Sequence, residues 1–255
     1  MDKSLKEVEL EGKVALITGA SGGIGSAVAK RFVKEGARVI LISRSGESLS
    51  VLYDKIKGFE EFKENSVTPI QLDLLDFESV KLLSGRIATL KLSESGALDI
   101  LVACAGILGE LNPTQDYSLE QFQDVMNINF IANWHLLKNL DSILKKSDAG
   151  RIIFVTSEVI LSPSSYPYWG AYAASKAALE AMVEVYASET KHTKLCVNAV
   201  YPEGAIDSGI YKQAFPGKDT SELAFPDKLT DKFVELASTN CNISGEVLPL
   251  SKSSD

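Results

Sequence analysis

Short apolar runs recur along this chain, and the segments between them carry apolar residues at helical rather than alternating spacing. KVALIT (13–18), RVILIS (38–43), VTPIQL (67–72), LDILVA (98–103), RIIFVTS (151–157), KLCVNAVYP (194–202) and EVLPL (246–250) read as strands. Helices are predicted near 27–36, ending at Gly36, and near 46–57, 76–93, 119–146, 170–190 and 225–238. Apolar runs without polar alternation belong to strands buried on both faces, so the pattern predicts a parallel sheet with helices on both faces. The expected fold is α/β, a Rossmann-type doubly wound unit around a mainly seven-stranded parallel sheet. No repeat, low-complexity tract or linker divides the chain, and residues 1–255 are expected to form a single domain.

Two stretches break the rhythm. Residues 158–170, EVILSPSSYPYWG, lie between a strand end and a helix start, and residues 203–224, EGAIDSGIYKQAFPGKDTSELA, are rich in turn formers. In an open α/β sheet, ligands bind outside the carboxyl ends of the strands. Both stretches leave the sheet at those ends, and they are the candidates for the substrate wall and the substrate loop.

Composition narrows the partners. Twenty-six Lys and Arg against thirty-four Asp and Glu give a net charge of -8, which argues against nucleic acid or an anionic membrane as a partner. No apolar stretch reaches the roughly 18 residues of a membrane span. The opening MDKSLKEVELEGK lacks the apolar run and small-residue cleavage site of a secretory leader, so a cytoplasmic protein is expected. Cys104, Cys196 and Cys241 are far apart and set among apolar residues, as reduced core thiols are. His135 and His192 have no ligand-spaced companions, so no metal is expected, and both read as helix residues without a catalytic role.

The candidate chemistry gathers at three places. In TGASGGIG, Gly19, Gly23 and Gly25 stand between the first strand and its helix, where a tight turn, a close backbone and helix amides receive a pyrophosphate. A carboxylate at the end of the second strand would accept the ribose hydroxyls of NAD. This chain has Ser43 and Arg44 there, which suit the 2'-phosphate of NADP, and NAD stands as the alternative. Asp73 is placed to meet the adenine amino group or to cap a helix. In YAASK, Tyr172 and Lys176 lie four apart on one helix face. A phenol of ordinary pKa about 10 becomes a workable acid and base beside an ammonium, and Ser157, ending the preceding strand, is placed to hold a carbonyl oxygen.

These motifs, taken in order and at their spacing, resemble the classical short-chain dehydrogenase/reductase family over nearly all of the chain. TGASGGIG resembles its cofactor turn, ACAG its Asn-Asn-Ala-Gly segment, MNIN the segment ending in a catalytic asparagine, and YAASK its Tyr-x-x-x-Lys signature. VMNIN, WGAYAASK and a following AFP resemble a poorly characterised bacterial oxidoreductase subgroup. The resemblance implies Asn129, Ser157, Tyr172 and Lys176 as catalytic residues, with Asn129 holding a water that links Lys176 to a proton relay; taken alone, Asn129 reads as a satisfied kink in the helix 119–146, and both readings can hold together. It implies a cofactor site of Gly19, Ser21, Gly23, Ile24, Gly25, Ser43, Arg44, Asp73, Leu74, Ala105, Gly106, Tyr172, Lys176, Pro202 and Ile206. It also implies a small-molecule carbonyl or alcohol substrate, and a homodimer or homotetramer formed through the helices around 119–146 and 170–190.

Two departures from the family pattern matter. ACAG has Ala103 and Cys104 in place of the asparagines that brace the central strands. In NAVYPEGAIDS, Glu203 replaces the family glycine, and the usual threonine falls on Asp207 or Ser208. A carboxylate facing the pyrophosphate would repel it unless turned outward or neutralised, so a dinucleotide-binding sensor or scaffold with weakened turnover is the second reading. Tyr166, Tyr168, Trp169, Tyr201 and Tyr211 are the candidates to line a partly apolar substrate pocket.

Overall fold

Valine, isoleucine and leucine dominate the apolar runs, and in the structure, a computed structural model that describes residues 9–252, each run becomes a strand. The first eight positions, on which most of the leader reading falls, lie outside the described residues, as do the last three. The strands are β1 (Val14–Thr18), β2 (Arg38–Ser43), β3 (Val67–Gln71), β4 (Ile100–Ala103), β5 (Arg151–Val155), β6 (Cys196–Pro202) and β7 (Val247–Leu250). The helices are α1 (Gly23–Lys34), α2 (Gly46–Lys57), α3 (Phe77–Lys81), α4 (Leu83–Thr89), α5 (Leu119–Met126), α6 (Ala132–Leu144), α7 (Gly170–Thr190), α8 (Gly209–Ala214) and α9 (Asp231–Ala237).

The sheet order is β3-β2-β1-β4-β5-β6-β7 and every pairing is parallel. Side chains alternate across it, which divides the core in two. Ala15, Ile17 and Ile153 face α1, α2 and α9, whereas Val14, Leu16, Ile152 and Phe154 face α3, α4, α6 and α7. Pro69 and Pro249 sit on β3 and β7, the two edge strands, where a missing amide donor breaks no central ladder. Strand order reverses between β1 and β4, so the carboxyl ends of these two strands flank the crevice in which this architecture binds ligands.

Three predicted helices are interrupted. The segment 76–93 divides at Leu82 and stops at Thr89, since Lys91 takes a left-handed φ of 49°. The segment 225–238 opens with a 3-10 turn, Pro226–Leu229, before α9. The segment 119–146 contains a π turn at Asn127–Ile131 between α5 and α6. His192 lies in the turn after α7 and not in a helix. His135 does lie in a helix, stacked on Phe77 at 4.1 Å. Among the described residues no helix is long and apolar enough to cross a membrane.

Candidate active site

The glycine turn is shaped by close approach. Gly19 has φ 61°, and a Cβ there would lie 2.8 Å from Ala105. A Cβ on Gly25 would lie 2.3 Å from the Gly19 carbonyl oxygen. These positions hold the β1–α1 turn against the end of β4, where the Ala105 amide donates to Thr18 Oγ1 at 3.3 Å. Gly22 caps α1 without a side chain, which leaves the first amides of the helix facing the crevice.

A cavity of about 560 Å³ extends from this turn over β2 and β3. Gly19, Ser21, Ser43, Arg44, Asp73, Leu74, Ala105 and Gly106, eight of the expected cofactor residues, line it. Ser43 is already committed: its Oγ shares a 2.7 Å hydrogen bond with Ser21 Oγ and accepts from the Ser45 amide, so it braces the turn. Arg44 is exposed at the rim. Asp73 accepts from the Leu75 amide at 3.0 Å, and the cap of α3 is Asp76, so the capping alternative for Asp73 is corrected.

A second cavity, about 670 Å³, shares Gly19, Gly22, Cys104 and Gly106 with the first and continues past β5 and β6. Gly23, Ile24, Gly25, Ser157, Tyr172, Lys176, Pro202 and Ile206 line it. Tyr172 and Lys176 project from one face of α7, and Ser157 hydrogen-bonds Tyr172 from the end of β5. The Lys176 ammonium lies 5.7 Å from the centroid of the Tyr172 ring and donates to the Val155 carbonyl at 2.8 Å. One of its three donors is thereby used. Burial pulls the Lys176 pKa down to about 8, against the raising influence of Cys104 and Glu180. Burial also pushes Tyr172 above its usual value, opposed by the Ser157 hydrogen bond. The phenol is thus the protonated form at neutral pH, since burial outweighs the Ser157 hydrogen bond that favours the phenolate.

Asn129 is fully buried in the π turn. Its Oδ1 accepts from the Ile107 amide at 2.8 Å, while Nδ2 donates to the Ile107 carbonyl at 2.9 Å and to Ser175 Oγ at 3.0 Å. The Asn129 main-chain carbonyl accepts from Asn133 Nδ2 at 2.8 Å. A Cβ on Gly106 would lie 3.3 Å from Asn129 Oδ1 and 3.5 Å from Lys176 Nζ, so this glycine lets three elements converge. Thr18, Asn133 and Ser175 take part in the site's bracing and carried no signal of their own. Only the spacing of Ser175, three residues after Tyr172, placed it near the helix face that matters.

The irregular segments both reach the second cavity. Glu158 joins them, accepting from the Tyr166 hydroxyl at 3.1 Å and from the Gly204 amide at 2.8 Å. Glu203 turns outward, where its carboxylate accepts from Ser251 Oγ at 3.0 Å. Asp207 pairs with Lys212 at 2.5 Å, and Ser208 caps α8. Tyr166, Trp169 and Tyr211 line the cavity together with Phe215, which the sequence reading omitted. Tyr168 is exposed instead, and Tyr201 lies outside the lining. Cys104 sits between the two cavities, and burial pushes its thiol up to about 12.

Comparison with known proteins places the chain in a family. Residues 13–219 match the family model for short chain dehydrogenases. The chain is 36% identical over 225 residues to the uncharacterized oxidoreductase YciK of Escherichia coli K12, covering 87% of this chain and 84% of that protein. It is 35% identical to an NADPH-dependent aldehyde reductase-like chloroplastic protein of Arabidopsis thaliana, covering 84% of this chain and 78% of that protein. A solved structure of a short chain dehydrogenase from Escherichia coli CFT073, complexed with NADPH, superposes with a TM-score of 0.87 at 32% identity, covering 96% of this chain and 99% of that one. The sheet, the turn and the Ser-Tyr-Lys cluster thus meet a match over most of the chain, and the protein belongs to the short chain dehydrogenase family of oxidoreductases.

Proposed function

We propose that the protein is an NADP(H)-preferring reductase that interconverts a carbonyl and an alcohol, with Ser157, Tyr172 and Lys176 acting on the substrate oxygen. The observation that carries this reading is the convergence of those three side chains on a cavity that runs into the glycine turn. The turn fits a dinucleotide, since Gly19 and Gly25 let it pack directly on the Ala105 backbone and on itself, while Gly22 leaves the first α1 amides without a side-chain cap. The Arg44 guanidinium at the rim fits a 2'-phosphate, and the cavity lining at the end of β2, Ser43, Arg44 and Ser45, holds no carboxylate to favour NAD. The NADPH-bound relative supports the same choice.

When bound, NADP(H) supplies or accepts the hydride. The protein's own groups handle the proton. Ser157 Oγ orients the substrate oxygen, and the protonated Tyr172 hydroxyl donates to it in the reducing direction. Lys176 offsets the phenolate charge that results and has two donors left for hydroxyl groups of the cofactor. The Asn129 side chain is spent on Ile107 and Ser175, so a water link to Lys176 runs through its main-chain carbonyl, which Asn133 shares.

The outward turn of Glu203 removes the main argument for a sensor without turnover. Leu119, Trp134 and Val185, exposed on α5, α6 and α7, support a homo-oligomer through those helices, and three unpaired cysteines support a cytoplasmic setting. The test is a fluorescence titration with NADPH and NADH in parallel, followed by a screen of carbonyl compounds. Binding that favours NADPH about tenfold with reduction of a carbonyl is the expected result. An NADH preference overturns the cofactor assignment, and binding without any turnover favours the sensor.

A further inference from the structure

Proton and hydride transfer leave one part of the second cavity unused. Beyond Tyr172 its wall is a continuous strip of aromatic rings: Trp169 lies 5.6 Å from Tyr172, Phe215 6.3 Å from Trp169, and Tyr211 4.9 Å from Phe215. At the outer end the Lys218 ammonium stands 4.9 Å from the centroid of the Phe215 ring. Among the described residues no carboxylate pairs with Lys218. The nearby carboxylates are engaged elsewhere, Asp207 with Lys212, Asp219 with Ser221, and Glu158 with Tyr166 and Gly204.

The placement of Trp169 is enforced. Tyr168, directly before it, has φ 74°, a left-handed conformation that a bulky side chain rarely adopts. The Tyr117 hydroxyl holds that turn through the Tyr168 carbonyl at 2.8 Å, and Trp169 bridges to Asn112. Strain of this kind persists where surrounding structure imposes it, commonly at binding sites. On the lid side, Gln213 Nε2 donates to the Gly109 carbonyl at 2.9 Å and fixes α8, which carries Phe215 at its end, over the cavity.

We propose that the site takes a carbonyl compound with a flat aromatic body and a terminal carboxylate, its carbonyl at Tyr172, its rings along Trp169 and Phe215, and its carboxylate at Lys218. This assignment rests on the reductase reading of the same site. An alkyl body would gain only burial from such a wall, whereas a π body gains the edge-to-face and offset contacts that its successive, mutually tilted rings offer. Two rings stand between Tyr172 and the ammonium, so the body is of biaryl length. The carboxylate exchanges a ring contact of Lys218 for a charge-assisted hydrogen bond.

The test uses 4'-formylbiphenyl-4-carboxylate, the same aldehyde without the carboxylate, and the dicyclohexyl analogue of the first. Binding is read by calorimetry on the NADP+-saturated protein, where no hydride is available, and kcat/KM is read with NADPH. The carboxylated biaryl is expected to bind roughly tenfold tighter than its dicyclohexyl analogue, with Trp169→Leu and Phe215→Leu each reducing that ratio. Lys218→Gln should equalise the two biaryl aldehydes. Phe215 and Lys218 are exposed, so their variants test the assignment even where Trp169→Leu fails to fold. Equal binding of all three compounds, or a preference that survives Phe215→Leu and Lys218→Gln, overturns it. Reduction without preference overturns the aromatic subsite and leaves the reductase reading standing. Preference without reduction supports the subsite and overturns the reductase reading.

Discussion

At the amino ends of the strands, Arg151 is buried with its guanidinium donating to the carbonyls of Gly150, Lys194, Ser238, Thr239 and Cys241. Asp99 beside it accepts from the Val14 amide at 2.9 Å and from Ser147 Oγ at 2.5 Å. At the carboxyl ends, Lys176 is equally buried but spends one hydrogen bond inside the protein, on Val155. Both ends hide a cation, and only one satisfies it. A saturated cation ties strand ends, helix ends and loops into one unit and has nothing left to offer a ligand. An under-satisfied one carries a desolvation cost, which lowers its pKa, and a ligand that completes its bonds relieves that cost.

The contrast can be broken most sharply at Tyr172. Tyr172→Phe should lower kcat by roughly 10²- to 10⁴-fold while leaving the thermal midpoint nearly unchanged, since the ring that packs is retained; a calorimetric scan beside the rate measurement reads both. A large fall in the midpoint with little change in rate would reverse the roles given to the two ends.

Arg151→Met is the mirror experiment. Several carbonyls lose their donor, and denaturant unfolding should show a loss of about 3 kcal/mol or more, with kcat/KM of the remaining folded protein close to wild type. A selective loss of turnover would show that the amino end reaches the chemistry.

Lys176 supplies a pH signature. Its folded pKa of about 8 lies below the ordinary lysine value of 10.5, so between those limits the unfolded chain binds more protons and stability rises with pH. Below pH 8 both states are protonated and the desolvation cost is fully present. Relative to Lys176→Met, wild type should therefore gain roughly 2–3 kcal/mol between pH 8 and 10.5, read from urea midpoints. A flat difference would mean that the ammonium is better solvated than its burial indicates.

The smallest effect is expected at Arg44, which is exposed. Arg44→Ala should weaken NADPH by about tenfold and leave NADH unchanged in parallel titrations. Equal losses for both would remove Arg44 as a phosphate reader.

Much of this is legible in the amino-acid sequence. The strands appear where uninterrupted apolar runs stood, because burial on both faces demands such runs. The crevice residues at Gly19, Arg44 and Gly106 line one cavity, and Ser157, Tyr172 and Lys176 line the other. The kink expected at Asn129 is there as the π turn Asn127–Ile131, but its form was not legible, since the Asn129 carbonyl is met by Asn133 through a contact that apolar periodicity does not encode. Phe215 was missed for a similar reason: α8 is one short helix in a stretch of turn formers, and its position depends on Gln213 reaching Gly109, 104 positions away.

The chain's local chemistry determined the α/β alternation, the glycine turn and the i,i+4 pairing of Tyr172 with Lys176, because each follows from backbone sterics and the period of a single element. Tertiary structure decided the outward turn of Glu203, the engagement of Ser43 with Ser21, the upward shift of Tyr172 and the aromatic strip from Trp169 to Phe215. Those depend on which distant groups meet and how much water they exclude, and neither burial nor a hydrogen-bond partner from another element is a property of local sequence.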